Sequence, residues 1–172
     1  MIILLTALPG TGKTTALEKF LHLFKGDCYW ILSKEIRNNK NERVGFEALT
    51  SDGQKGLFAH KEAIQSESMI GSYHVDLSVI DTIFSDSIVH EIKSPHALFV
   101  LDEIGRMEML STKFVESIDA LFETDLPVLA TIRHGDEWAE KYKQNPKVTV
   151  IEVTESNRDE LPGKLVEIFT RQ

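Results

Sequence analysis

Apolar positions along the chain fall into alternating strand-like and helix-like patterns. Ile2 to Leu5 is an unbroken apolar run closed by a Gly/Pro turn, which predicts a strand buried on both faces. Leu17, Phe20, Leu21 and Phe24 then recur at helical spacing, predicting a helix over 13–25 that stops at Gly26. The run CYWIL at 28–32 predicts a second strand, and the polar stretch KEIRNNKNER at 34–43 a solvated loop able to order as a lid. Between 43 and 75, short apolar groups alternate with turn signals at Ser51-Asp52-Gly53 and Lys55-Gly56, the pattern of β-hairpins. Helical spacing returns over 77–93 through Val79, Ile80, Ile83, Phe84, Ile88 and Ile92. A strand from Ala97 to Leu101 runs into acidic residues, and a helix at about 111–123 follows with Ser111 as its N-cap. The remainder reads as a strand at PVLATI, a short helix at GDEWAEKYK, a strand at VTVIEV and a closing helix over 156–170. Strands alternating with helices predict an α/β fold, a three-layer α/β/α sandwich with a mainly parallel sheet and inserted antiparallel hairpins at 43–75.

Composition narrows the setting. A chain of 172 residues with 42% apolar content suits one domain spanning 1–172. The net charge of −8, from 19 basic against 27 acidic side chains, argues against a nucleic-acid partner. The apolar start MIILL is too short to span a bilayer, so no membrane association is expected and a cytoplasmic location is; the chain is also expected to be a monomer. Cys28 has no partner for an internal disulfide and is expected to be a buried structural thiol. The six histidines are scattered, without the spacing of a metal site made of side chains alone.

The chemistry concentrates at ALPGTGKTT, residues 7–15, directly behind the first strand. It matches GxxxxGK[ST] except that the first glycine is Ala7. A loop that grips phosphate must turn sharply, aim backbone N–H groups inward and lead into a helix whose N-terminal dipole favours negative charge. Leu8, Pro9, Gly10, Thr11, Gly12, Lys13, Thr14 and Thr15 are the expected cradle, with Lys13 reaching the outer phosphates and the Thr14 hydroxyl ligating Mg²⁺. Ala7 sits at the strand-side end, where a methyl group is tolerated if φ is negative. GTGKTT lacks the third glycine of a dinucleotide-binding fingerprint.

Phosphoryl transfer also needs a carboxylate on a second buried strand and a group that orients the attacking oxygen. Asp102, closing the run LFVL, fits the metal role beside Thr14. Glu103 is the candidate for positioning water, with Glu108 in reserve. Arg133 follows the strand PVLATI and is placed to neutralise charge on the transferred phosphoryl group; Arg106 competes for that task, and His134 is a weaker candidate. Trp138 with Tyr142, and Phe46 with Tyr73, suit either packing or base stacking. Asp102-Glu-Ile-Gly105 matches the DxxG of regulatory GTPases, but the guanine selector NKxD is missing: Asn145-Pro-Lys-Val148 ends in valine.

These residues resemble a known family, the small nucleoside-triphosphatases of archaea and thermophilic bacteria that include the human cancer-related nucleoside-triphosphatase. The resemblance rests on LPGTGKTT at 8–15, Arg43-Val-Gly-Phe46, Gly71-Ser-Tyr73-His-Val75 and Leu101-Asp-Glu-Ile-Gly-Arg-Met-Glu108 followed by Phe114, and it spans most of the chain. The family's usual lysines are replaced by Arg106 and Ser72. The resemblance implies Mg²⁺-dependent hydrolysis of several nucleoside triphosphates to diphosphates, with little base selectivity, and added antiparallel strands in the sheet. Two other readings use the same loop: a nucleotide or small-molecule kinase passing the γ-phosphoryl group to an acceptor, and a nucleotide-binding module regulated by a protein partner.

Overall fold

A computed structural model describes residues 1–171. In chain order the elements are β1 (Ile2–Thr6), α1 (Lys13–Leu23), β2 (Tyr29–Arg37), β3 (Arg43–Thr50), β4 (Lys55–His60), β5 (Met69–Ile70) and β6 (Tyr73–Val75). Then come α2 (Leu77–Val79), a π-helical segment (Ile80–Ser85), α3 (Asp86–Lys93), β7 (Phe99–Ile104), a 3₁₀ turn (Glu108–Leu110) and α4 (Thr112–Glu123). The chain closes with β8 (Val128–Ile132), α5 (Glu137–Lys143), β9 (Val148–Glu152) and α6 (Leu161–Thr170). The α/β class read from the sequence holds, with parallel and antiparallel strands flanked by helices. The chain divides into two units, one formed by Met1–Cys28, Pro95–Ile104 and the residues from Asp125 onward, the other by Tyr29–Ser94 and Gly105–Thr124.

The first unit carries a parallel sheet in the order β7-β8-β1-β9. Every residue of β1 and β8 is buried, as their unbroken apolar runs require of strands covered on both faces. Parallel pairing brings the carboxyl ends of all four strands to one edge. Phe20 of α1 stacks on Phe24 at 5.2 Å and meets Phe169 of α6 edge-on at 5.9 Å, which fixes α1 behind the loop that precedes it. β7 begins two residues later than expected from Ala97 and runs on to Ile104, so Asp102 and Glu103 lie within the strand. The closing helix starts at Leu161 rather than 156, because Asn157 ties residues 152–157 into a turn and Pro162 suits the first helical positions. Cys28 is half-buried just ahead of β2, outside the strand it was expected to join; burial and the neighbouring Asp27 push its thiol upward.

The second unit is antiparallel, ordered β5-β6-β4-β3-β2. The hairpins expected over 43–75 are present. The loop expected at 34–43 is not: β2 continues to Arg37 and β3 starts at Arg43, leaving a tight turn at 38–42. Ladder bonds and charge pairs, with Glu35 joined to both Arg37 and Arg43, hold this polar stretch extended without an apolar face. Phe58, Phe84 and Phe114 form an edge-to-face chain in the core, and the Ser111 hydroxyl caps α4 by accepting from the Phe114 amide.

Candidate active site

Two glycines decide the path of the chain after β1. Gly10 (φ 80°) and Gly12 (φ 105°) hold left-handed backbone that a side chain would strain, and Gly12 is the N-cap of α1. Thr11 closes the turn, its amide and hydroxyl both donating to the Leu8 carbonyl at 3.3 and 2.9 Å. Leu8, Pro9, Gly10 and Thr15 are exposed, and Thr11, Gly12, Lys13 and Thr14 are half-buried. Ala7 is buried and its φ is not positive, so the missing first glycine costs the loop no strain. The result is a helix N-terminus, the positive end of its dipole, at the carboxyl edge of the parallel sheet.

The end of β7 supplies the acids. Its register on β8 is interrupted between Leu101 and Ile104, and Asp102 and Glu103 occupy that break. Their shared peptide bond is cis. Asp102 is only 2% exposed; its Oδ2 accepts from the Thr14 hydroxyl at 3.0 Å and its Oδ1 from the hydroxyl of Thr131, which is buried in β8. Burial pushes the Asp102 carboxyl up to about 6. The Thr131 hydrogen bond opposes that shift, the charge of Glu103 reinforces it, and Thr14 and Lys13 oppose it. Glu103 turns to Lys13, whose Nζ donates to Oε2 at 2.6 Å and to the Ile132 carbonyl at 3.5 Å. Loop and strand thus meet through two contacts that join residues nearly ninety positions apart.

The donor set suits a hard cation. A hydroxyl and a buried carboxylate within hydrogen-bond distance are the oxygen ligands Mg²⁺ takes from protein when substrate phosphates and water supply the rest. A carboxylate disfavoured as an anion by burial is also one that a bound cation stabilises. Among the described residues no group of three or more His, Cys, Asp or Glu could hold a metal, so such an ion would depend on Thr14, Asp102 and substrate.

The remaining candidates separate. Arg133 leaves the carboxyl end of β8 half-exposed, its Nε 2.7 Å from an Asp136 carboxylate oxygen in an ion pair that lacks hydrogen-bond alignment. His134, next to it, is exposed. Arg106, exposed, and Glu108, buried in the 3₁₀ turn, belong to the second unit. Tyr142 is 4% exposed and packs α5 into the core, which settles it as a structural ring; Trp138 is half-buried. Phe46 and Tyr73 lie 5.4 Å apart under the Arg43 guanidinium, within the second unit. Sequence reasoning missed Arg158, whose Nη1 donates to the Thr11 carbonyl of the loop at 3.4 Å. Arg158 stands in the turn after β9, a strand whose carboxyl end lies at the same edge as that of β8, but six residues past its last residue.

Known proteins are similar to this chain over nearly its whole length. A family described as NTPase matches residues 2–166. The nucleoside-triphosphatase THEP1 of Thermotoga maritima is 34% identical over 172 residues, covering 98% of this chain and 95% of the relative. The protein of that name from Methanocaldococcus jannaschii is 32% identical over 165 residues, covering 94% and 92%. Among solved structures, THEP1 from the hyperthermophile Aquifex aeolicus aligns with a TM-score of 0.87 at 26% identity, over 98% of this chain and 99% of that one. The solution structure of a human cancer-related nucleoside triphosphatase aligns with a TM-score of 0.77 at 25% identity, over 99% and 98%.

Proposed function

Because this chain belongs to the nucleoside-triphosphatase family and is a hydrolase of nucleoside triphosphates, we propose that it cleaves nucleoside triphosphates of several bases alike to orthophosphate and the nucleoside diphosphate, in a Mg²⁺-dependent reaction. The observation that carries this reading is the 3.0 Å contact between Thr14 of the phosphate loop and Asp102 of β7, which puts the cradle and the buried carboxylate at one place.

In this reading the loop amides and the α1 dipole hold the β-phosphate, and Lys13 serves as a point charge on the outer phosphates. Thr14 and Asp102 would hold Mg²⁺, which when bound neutralises charge on the β- and γ-oxygens. Glu103 orients a water molecule: the water oxygen bonds to the γ-phosphorus, the bond to the β-bridging oxygen breaks, and the water's proton passes through the carboxylate to solvent. Arg133, or Arg106 as the second candidate, offsets charge on the transferring group. The absence of an NKxD-type selector supports acceptance of several bases.

A panel of ATP, GTP, CTP and UTP, followed by phosphate release and by chromatography of the diphosphate, tests this. Comparable release from all four supports the reading. Turnover that requires an added hydroxyl or phosphate acceptor would replace it with a kinase, and a large rise in turnover with cell extract would replace it with a partner-regulated module.

A further inference from the structure

Arg158 has no task in the mechanism above, and its position assigns one. β9 pairs directly with β1, and the Val153 amide extends that pairing to the Thr6 carbonyl at 2.8 Å. The turn after β9 therefore flanks the phosphate loop on the side opposite β8 and β7. It is braced: Asn157 Nδ2 donates to the Glu152 carbonyl at 2.8 Å, its Oδ1 accepts from the Thr154 amide at 2.9 Å, and the Arg158 amide donates to the Thr154 carbonyl at 3.0 Å. From this support the Arg158 side chain reaches over the loop. Its Cδ would stand 3.7 Å from a Cβ placed on Gly12, and its Nη1 makes the 3.4 Å contact to Thr11. A contact of that length is weak, so the guanidinium is not committed to the loop.

Strand order gives the substrate a direction. Asp102 and Glu103 lie on β7 and Arg133 on β8, so the phosphate at which the bond breaks belongs on that side of the loop. A triphosphate laid across the cradle from there carries its sugar and base toward β9 and its turn, where Arg158 stands. We propose that Arg158 holds the nucleobase, its guanidinium plane stacked on the face of the ring. This rests on the hydrolase reading above. An arginine suits the task because its guanidinium is flat and weakly hydrated, and stacking does not discriminate because every base has a π-face. The residue thus adds affinity without choosing among bases, in keeping with a sequence that lacks the NKxD guanine selector.

Calorimetric titration with Mg²⁺ tests this, using ADP, GDP, CDP, UDP and inorganic pyrophosphate on the wild type, Arg158→Ala and Arg158→Lys. Pyrophosphate occupies the cradle without a nucleoside. The expected result for Arg158→Ala is a Kd raised roughly two- to thirtyfold for all four diphosphates, the range of exposed to desolvated cation–π contacts, with pyrophosphate affinity unchanged because it has no ring to stack on. Arg158→Lys stays weakened, because an ammonium has no plane to stack. Unchanged diphosphate affinity overturns the proposal, as does equal weakening of pyrophosphate, which would make Arg158 a brace of the loop. Full recovery by lysine also overturns it, in favour of a charge contact to phosphate. Wild-type protein that binds neither diphosphate nor pyrophosphate defeats the hydrolase reading itself and the inference with it.

Discussion

The Lys13 ammonium lies 2.6 Å from the Glu103 carboxylate, so the two charges pair across 90 positions of sequence. In the proposed mechanism a triphosphate in the cradle would draw Lys13 to its own oxygens and release the carboxylate to face water. Glu103→Gln keeps a hydrogen-bond acceptor for Lys13 but removes the group that takes the proton. The expected outcome is nucleotide affinity equal to or above wild type, with kcat lower by about 10² to 10⁴. Equilibrium binding beside single-turnover hydrolysis checks it, and unaltered turnover would remove Glu103 from the mechanism.

Asp102 links the site to stability. Its carboxyl is held at about 6 in the folded chain against an ordinary value of about 3.9 in an unfolded one. The folded state therefore binds the proton more tightly, and this residue's contribution declines as pH rises from about 4 to about 6. Above that window the buried anion destabilises the nucleotide-free protein by up to about 3 kcal/mol. Asp102→Asn removes the penalty and retains partners for Thr14 and Thr131. Thermal unfolding at neutral pH in chelator is expected to show a Tm several degrees above wild type, the gain vanishing near pH 4, in a variant that has lost hydrolysis. A lower Tm at neutral pH contradicts the assignment.

Ala7 occupies a position at which glycine is usual, yet neither its backbone nor its burial asks for one. Ala7→Gly is expected to leave nucleotide Kd unchanged within experimental error. It should lower stability on the order of 1 kcal/mol through backbone freedom and a lost buried methyl. A marked gain in affinity would show that the methyl group obstructs the cradle.

Legibility from sequence followed physical locality. The phosphate loop was readable because strand, glycines, lysine and helix start are contiguous, and the hairpins over 43–75 because each carries its own turn signal. Asp102 was readable as the last residue of an apolar run. The outer half of β2 was not, since Ser33 to Arg37 is held by ladder bonds and by Glu35 pairing with two arginines, none of which leaves an apolar period. The π-helical segment at Ile80–Ser85 was hidden because Ile80, Ile83 and Phe84 are buried there at spacings an α-helix shares. Lys13 with Glu103, and Arg158 with Thr11, join residues 90 and 147 positions apart, and no local pattern announces such contacts.

The arginines are separable. Arg133 sits at the carboxyl edge of the sheet beside Asp136, whereas Arg106 belongs to the second unit. Arg133→Ala is expected to lower kcat by about 10³ with a smaller change in KM, the size of effect seen where an arginine neutralises a transferring phosphoryl group. Arg106→Ala should leave the larger part of turnover. Steady-state kinetics on both variants decides, and wild-type rates in each would leave the chemistry without a protein-borne arginine.

Phosphate release from ATP during a Mg²⁺ titration, run on wild type and Thr14→Ala and repeated with excess chelator, bears most directly on the cation–triphosphate site. No release is expected in chelator and, for Thr14→Ala, a half-saturating Mg²⁺ concentration at least about tenfold higher, as loss of one oxygen ligand implies. Release that persists undiminished in chelator, or a Thr14→Ala titration superimposable on wild type, would contradict that expectation.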